Sequence, residues 1–138
     1  MRTGTRSRRS AWPRRTSAQA GRDGERLAAL VYLLRGYRVI GRDVRTPHGQ
    51  VDVVCRRGRL LVVIEVKRRR TRGLYGAAHA LSRAQAERLD AATAFLQRRY
   101  RWARASRIDL VAIDGWRVRI HRSAVTAAQV RRRSGWNP

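Results

Sequence analysis

Acidic residues are scarce in this chain. Nine Asp and Glu stand against 33 Lys and Arg in 138 residues, for a formal net charge of +24. Such a chain repels itself, which points to a polyanionic partner, with nucleic acid the first candidate. GC-rich codon usage accounts for part of the arginine count but less well for the shortage of acids. Each acid inside an apolar stretch is therefore informative. Cysteine is reduced to Cys55, which excludes an intramolecular disulfide and fits a reducing, cytoplasmic setting. No apolar run approaches a membrane span and the N-terminus shows no signal-like core, so neither membrane anchorage nor secretion is expected. His48, His79 and His121 are scattered without ligand spacing, so no histidine is assigned to a metal or to catalysis. Lysine is the rarest base: Lys67 is the only one in the chain.

That lysine closes the most informative stretch, residues 59–69, RLLVVIEVKRR. Val, Ile and Leu dominate it, so it reads as a strand buried on both faces at the centre of a sheet. Glu65 and Lys67, two residues apart, point to one face of that strand. Burying either charge alone is costly, so the fold must supply a partner or a task. Arginine is a planar fork that stays charged, whereas lysine is a compact point charge with a tunable pKa. A position that keeps lysine amid so much arginine reads as one that needs those properties.

Before and after this stretch the chain alternates in character. Residues 1–20 are rich in Arg, Ser and Thr and read as a disordered basic arm. Leu27, Leu30, Val31 and Leu34 then recur at helical spacing, with Asp23 as the expected N-cap and Gly36 as the stop. Tyr37–Val44 alternates as a strand, Thr46–Gly49 makes a turn, and Gln50–Cys55 is a second strand joined to Leu60–Lys67 through Arg57 and Gly58. Ser82 opens a second helix with Leu89, Ala92, Phe95 and Leu96 on its buried stripe. Arg107–Ile113 is another buried strand, Asp114 and Gly115 a hairpin turn, and Trp116–His121 an edge strand with arginines on one face. The predicted architecture is an α/β domain over residues 21–128, a mixed sheet flanked by helices in the order α-β-β-β-α-β-β, followed by a basic tail at 129–138.

A two-residue loop at Arg57 and Gly58 would set Asp52 diagonal to Glu65, about 7–8 Å apart at the backbone, with Lys67 on the same side. Two hard carboxylates at that separation suit Mg²⁺ or Mn²⁺ with several waters retained and substrate phosphate bound. Such an ion polarises a phosphoryl oxygen and acidifies a bound water. A structural Asp/Glu/Lys cluster that neutralises itself at a strand end fits the spacing equally well.

The pattern Asp52, twelve residues, then Glu65-Val66-Lys67 resembles the PD-(D/E)XK nuclease signature. The wider set, Gly24-Glu25-Arg26 with Ala28, Gly49-Gln50-Val51-Asp52, Glu65-Val66-Lys67, Tyr75-Gly76 and Arg107-Ile108-Asp109-Leu110-Val111, resembles the YraN-like bacterial family, itself similar to archaeal Holliday-junction resolvases. The likeness runs from about Gly24 to His121. It implies a restriction-endonuclease-like fold and metal-dependent cleavage of phosphodiesters. Asp52 and Glu65 would bind the metal with help from the Val66 carbonyl, Lys67 would be the catalytic lysine, and Glu25 matches a helical glutamate that joins the metal site in resolvases. A homodimer is in keeping with that likeness. The chain departs from the family at Gln50, where Glu is usual, and at Gln85, where Lys is often found; a glutamine at 85 can still hydrogen-bond a phosphate or a base.

Around this core, Arg68, Arg69, Arg70 and Arg72 are expected to contact phosphates, and Tyr75 to meet substrate or close a turn. Asp109, inside a buried strand, supports Lys67 or an arginine, or is structural. Cys55 reads as a small core residue. The expected function is a Mg²⁺- or Mn²⁺-dependent DNA endonuclease that recognises shape and backbone, with branched DNA the attractive substrate. The rivals are a non-catalytic nucleic-acid-binding module with a decayed site and a basic RNA-associated factor.

Overall fold

A computed structural model describes residues 17–68, 81–115 and 117–125. Five strands form one sheet in the spatial order of the chain: β1 Arg38–Thr46, β2 Gly49–Arg57, β3 Leu60–Arg68, β4 Ala105–Asp114 and β5 Arg117–Val125. Only β3 and β4 run parallel, and α2 (Arg83–Arg99) lies in the crossover that a parallel pair requires. Helix α1 (Ser17–Leu34) precedes the sheet. The expected mixed α/β order is the order that forms. The expected C-terminal tail at 129–138 lies outside the described residues.

β3 is the central strand and feeds both layers of core. Leu61 and Val63 pack toward α2 with Leu89, Ala92 and Leu96, whereas Val62 and Ile64 pack toward α1 with Ala28 and Tyr32. This two-sided burial is why its run of β-branched residues is nearly unbroken. Cys55 is a free thiol in the α1 layer, its pKa pushed up to about 12 by burial. Ser82 caps α2 through a full capping box, its side chain accepting the Gln85 N–H while the Gln85 side chain accepts the Ser82 N–H.

α1 differs from the sequence expectation in two respects. It starts at Ser17, so Asp23 lies within it, and its first turn takes in residues that composition assigns to the basic arm; residues 1–16 lie outside the described ones. Its buried line is also not the leucine line. Gly24, Ala28 and Tyr32 face the sheet, while Leu30 is 50% and Leu34 78% exposed. Small residues let the helix approach closely: a Cβ at Gly24 would stand 3.5 Å from Val66 Cγ1 and 3.6 Å from Ile113 Cδ1. That approach delivers Glu25 to the same end of β3 as Lys67.

Candidate active site

The β2–β3 hairpin turns through Gly58 and Arg59 rather than Arg57 and Gly58, with Arg57 paired to Leu60 and Val53 to Ile64. The register is therefore displaced by two residues from the expected one. A shift of two preserves which face each side chain occupies. It moves Asp52 from a diagonal position to one directly opposite Glu65. The backbone ladder ends one step earlier, because β2 continues along β1 instead, with Val51 paired to Val44. Asp52 occupies the fork where the strands part, and its Oδ2 accepts the Val66 N–H at 2.7 Å in place of a ladder bond.

Glu65 is buried, 7% exposed. Its Oε1 forms an ion pair with Lys67 Nζ at 3.4 Å, and Arg88 Nη2 of α2 approaches its Oε2 at 3.9 Å. Among the described residues, none donates a hydrogen bond to that Oε2, which is fully enclosed. Burial raises the Glu65 carboxyl, and repulsion from Asp52 adds to it, against the pull of Lys67 and Arg88. Asp52 is raised too, burial outweighing the Val66 N–H, a hydrogen bond with the Glu65 carboxyl and the pull of Lys67. Two desolvated acids thus face each other with half of Glu65 lacking a donor.

Arg88 lies outside the set that spacing singles out. It donates to the Gln50 carbonyl at 2.8 Å and thereby ties α2 to the start of β2. Its path crosses Gly49, where a Cβ would stand 3.0 Å from Arg88 Nη1 and where a φ of +110° favours glycine. A signal for it exists in the sequence: Arg88 lies three residues after Gln85, on the same side of the helix. Asp43 is a second residue that spacing misses. It holds an unusual positive φ of 51° on β1 and accepts a 2.8 Å hydrogen bond from the Gln50 amide. Its signal is rarity, as one of nine acids.

Glu25 pairs with Asp43 rather than entering the Asp52–Glu65 pair. Burial, then the hydrogen bond and repulsion from Asp43, push its carboxyl up to about 7, and Asp52 contributes from further off. Arg22, Glu25, Arg26, Arg42 and Asp43 line a cleft of about 310 Å³ beside the fork. Among the described residues, no three His, Cys, Asp or Glu side chains gather closely enough to form a metal-binding group.

The remaining candidates divide. Gln85 has its Oε1 engaged at the α2 cap, leaving its amide N–H groups for any other partner. Gln50 serves as a brace between Asp43 and Arg88. Asp109 lies on the α1 side of β4, where Arg107 is its partner. Arg68 is exposed at the end of β3, and Arg69, Arg70, Arg72 and Tyr75 lie outside the described residues. Trp102 packs against the α2 layer, under the Arg56 guanidinium at 4.2 Å.

Comparison with known proteins gives a consistent result. The family model described as "Uncharacterised protein family UPF0102" matches residues 24–113. A UPF0102 protein of Mesorhizobium japonicum is 39% identical over 110 residues, 78% of this chain and 86% of the relative. One from Rhizorhabdus wittichii is 40% identical over 119 residues, 84% of this chain and 98% of the relative. One from a Chelativorans species is 39% identical over 118 residues, covering 84% and 94%. These matches bear out the expected YraN-like kinship.

Proposed function

This chain belongs to the UPF0102 family, and from the chemistry of its strand fork we propose that it is a nucleic-acid-binding protein that hydrolyses DNA phosphodiesters with a divalent metal ion. One observation carries the reading. Glu65 Oε2 is buried without a hydrogen bond from the described residues, opposite a second raised carboxyl and beside the only lysine in the chain. A buried acceptor left unmet is expensive in a purely structural cluster. The donor set, two hard carboxylates near the Val66 carbonyl, fits Mg²⁺ or Mn²⁺, which need few protein ligands and keep their own waters.

Asp52 and Glu65 would hold the ion, relieving the repulsion and desolvation that raise both carboxyls. When bound, such an ion supplies charge to a phosphoryl oxygen and acidifies water. The residues of the chain do the rest. The Val66 N–H fixes the Asp52 carboxylate at 2.7 Å, so the group is aimed before substrate arrives. Lys67 extends past Glu65 toward solvent, its side chain 26% exposed, and places a compact positive charge where a phosphate approaching the fork would lie. There it orients the attacking water or stabilises charge growing on the phosphate. Arg88, one-third exposed, is placed to hold a neighbouring phosphate oxygen. The net charge of +24 supplies sequence-independent attraction to the backbone.

Nicking assays on branched, duplex and single-stranded DNA with Mg²⁺ or Mn²⁺ test this. Cleavage is expected to vanish in Glu65→Ala and Lys67→Ala while binding persists. A second reading rests on the absence of a three-ligand metal group among the described residues and on the Lys67–Glu65–Arg88 ion pairs: a binding module whose cluster neutralises itself. Tight, salt-sensitive DNA binding without cleavage on any of these substrates would select it. Preference for RNA with no metal dependence would instead select an RNA-associated factor.

A further inference from the structure

The topology gathers acids and bases together at one end of the sheet and leaves the other end to arginine. One end of the sheet holds Asp52, Glu65, Asp43 and Glu25. The opposite end collects the β2–β3 turn, the starts of β1, β3 and β4 and the C-termini of both helices, as the pairings Arg38 with Arg56, Arg57 with Leu60 and Leu60 with Ala105 require. Arg38, Arg57, Arg59, Arg101, Arg104 and Arg122 are all exposed there. None of the nine acids is exposed among them; the nearest, Asp109, is fully buried and occupied by Arg107. Helix C-termini favour bases in their last turn, which accounts for Arg98 and Arg99 of α2 but not for arginines on turns and strand ends. Codon usage sets how many arginines there are, not the lack of exposed acids at this end.

Arg57 and two neighbouring guanidiniums at this end are already held in place. Arg57 lies 5.3 Å and Arg107 5.9 Å from the Tyr37 ring centroid, and Arg107 Nη2 donates to the Tyr37 hydroxyl at 3.1 Å. Arg56 stacks on Trp102. Arg107 is committed to Asp109, but for Arg56 and Arg57 stacking fixes the plane of the guanidinium and leaves N–H groups for a phosphate, so less side-chain entropy is lost on binding. The two ends of β3 are about 26 Å apart at roughly 3.3 Å per residue, too far for one phosphate to be shared between them.

We propose that this arginine end is a second nucleic-acid surface, gripping the phosphate backbone of a DNA segment other than the one held at Asp52 and Glu65. The proposal rests on the nucleic-acid reading above but not on hydrolysis. A protein with two such surfaces bridges two duplexes or two arms of a branched one.

The test uses the full chain and short donor- and acceptor-labelled duplexes, each about 12 base pairs or about 40 Å long. Energy transfer between duplexes is expected with the parent. It should fall at least about fivefold in the variant carrying Arg57→Ala, Arg59→Ala, Arg104→Ala and Arg122→Ala. The log–log salt slope for four-way-junction binding should flatten by about 0.9 for each phosphate that this variant no longer neutralises. A charge-matched variant, Arg2→Ala, Arg6→Ala, Arg8→Ala and Arg9→Ala, is expected to retain bridging. If the first variant melts early, Arg59→Ala with Arg104→Ala, which leaves Tyr37 and its neighbours intact, repeats the test with about half the flattening. Equal loss in the charge-matched variant, or undiminished bridging in the first, overturns the proposal. Bridging without cleavage by the parent would remove the hydrolytic reading and leave this one standing.

Discussion

Adjacent central strands each bury an acid two residues from a base, and the fold treats the two pairs in opposite ways. On β4, Asp109 is fully buried and accepts from the Tyr32 hydroxyl at 2.8 Å, from Arg107 Nε and Nη2 at 2.8 and 2.7 Å, and from the Ser123 N–H at 3.0 Å. On β3, Glu65 has a 3.4 Å ion pair, a 3.9 Å approach and an oxygen with no hydrogen bond from the described residues. The bases differ correspondingly: a bidentate arginine closes the first site, and a lysine stands over the second. A carboxylate whose lone pairs are all spoken for is a structural joint. One held in a buried position with capacity to spare is poised for a ligand. The same spacing in sequence therefore encodes two jobs, distinguished by which helix packs above.

The largest test of this contrast is Asp109→Ala. It strips partners from a buried phenol and a mostly buried guanidinium at once, and should lower stability by about 3–5 kcal/mol, as removal of one member of a buried pair does. Urea unfolding would show it as a fall in midpoint at constant m. A loss below about 1 kcal/mol would mean that the joint is not one.

Exchanging the bases separates the roles next. Arg107→Lys keeps the charge but loses the fork and the bond to Tyr37, and is expected to destabilise by about 1–2 kcal/mol with cleavage unchanged. Lys67→Arg should leave stability within about 0.5 kcal/mol, as at ordinary surface positions. Its cleavage rate should fall about a hundredfold, the scale of losing one charge-stabilising group. Matched unfolding and nicking measurements on both variants check the pairing; a stability loss at Lys67 equal to that at Arg107 would erase the distinction.

Much of this is legible in the sequence. The β3 run and its central place follow from composition, and the convergence of Asp52 with Glu65 survives a misplaced turn because the error is two residues, which keeps faces intact. Other features need three dimensions. Arg88 and Asp43 reach the site from a helix and an edge strand whose packing no local pattern reports. The leucines of α1 mislead because hydropathy overlooks Gly24 and Ala28, whose value is smallness rather than apolarity. Asp109 stands between structural and supporting roles in the sequence, and only its donors decide between them.

Glu65→Gln sharpens the comparison with a smaller effect. The neutral isostere removes repulsion toward Asp52 and the desolvation of a charge, at the expense of the Lys67 pair. The balance is expected to raise stability by up to about 1 kcal/mol while abolishing cleavage, the trade often seen where a site is kept strained for function. Thermal melting and nicking on one preparation check it. Destabilisation comparable to that of Asp109→Ala would make Glu65 a joint after all.

The smallest effect is a pH dependence, and its sign follows from the same crowding of acids. Glu25 is pushed up to about 7 from an ordinary 4.5, and burial raises Asp52 and Glu65 in the same direction. Between the ordinary and the raised values the folded chain holds protons that the unfolded chain has released. The stability from those protons is complete below about 4.5 and is lost as pH rises through about 7. With metal chelated, the melting temperature should therefore fall by a few degrees between pH 5 and pH 8. Glu25→Gln should flatten that fall. Arg107→Lys should lower the whole curve without changing its shape, since the hydrogen bonds it donates to Asp109 hold the Arg107 guanidinium protonated well beyond this range. Adding Mg²⁺ should restore stability most at pH 8 and least at pH 5, because ion and proton compete for the same oxygens. A melting temperature that climbs from pH 5 to pH 8 in chelator would mean that the fork tolerates its charges unaided, and the contrast between the two carboxylates would then be one of geometry alone.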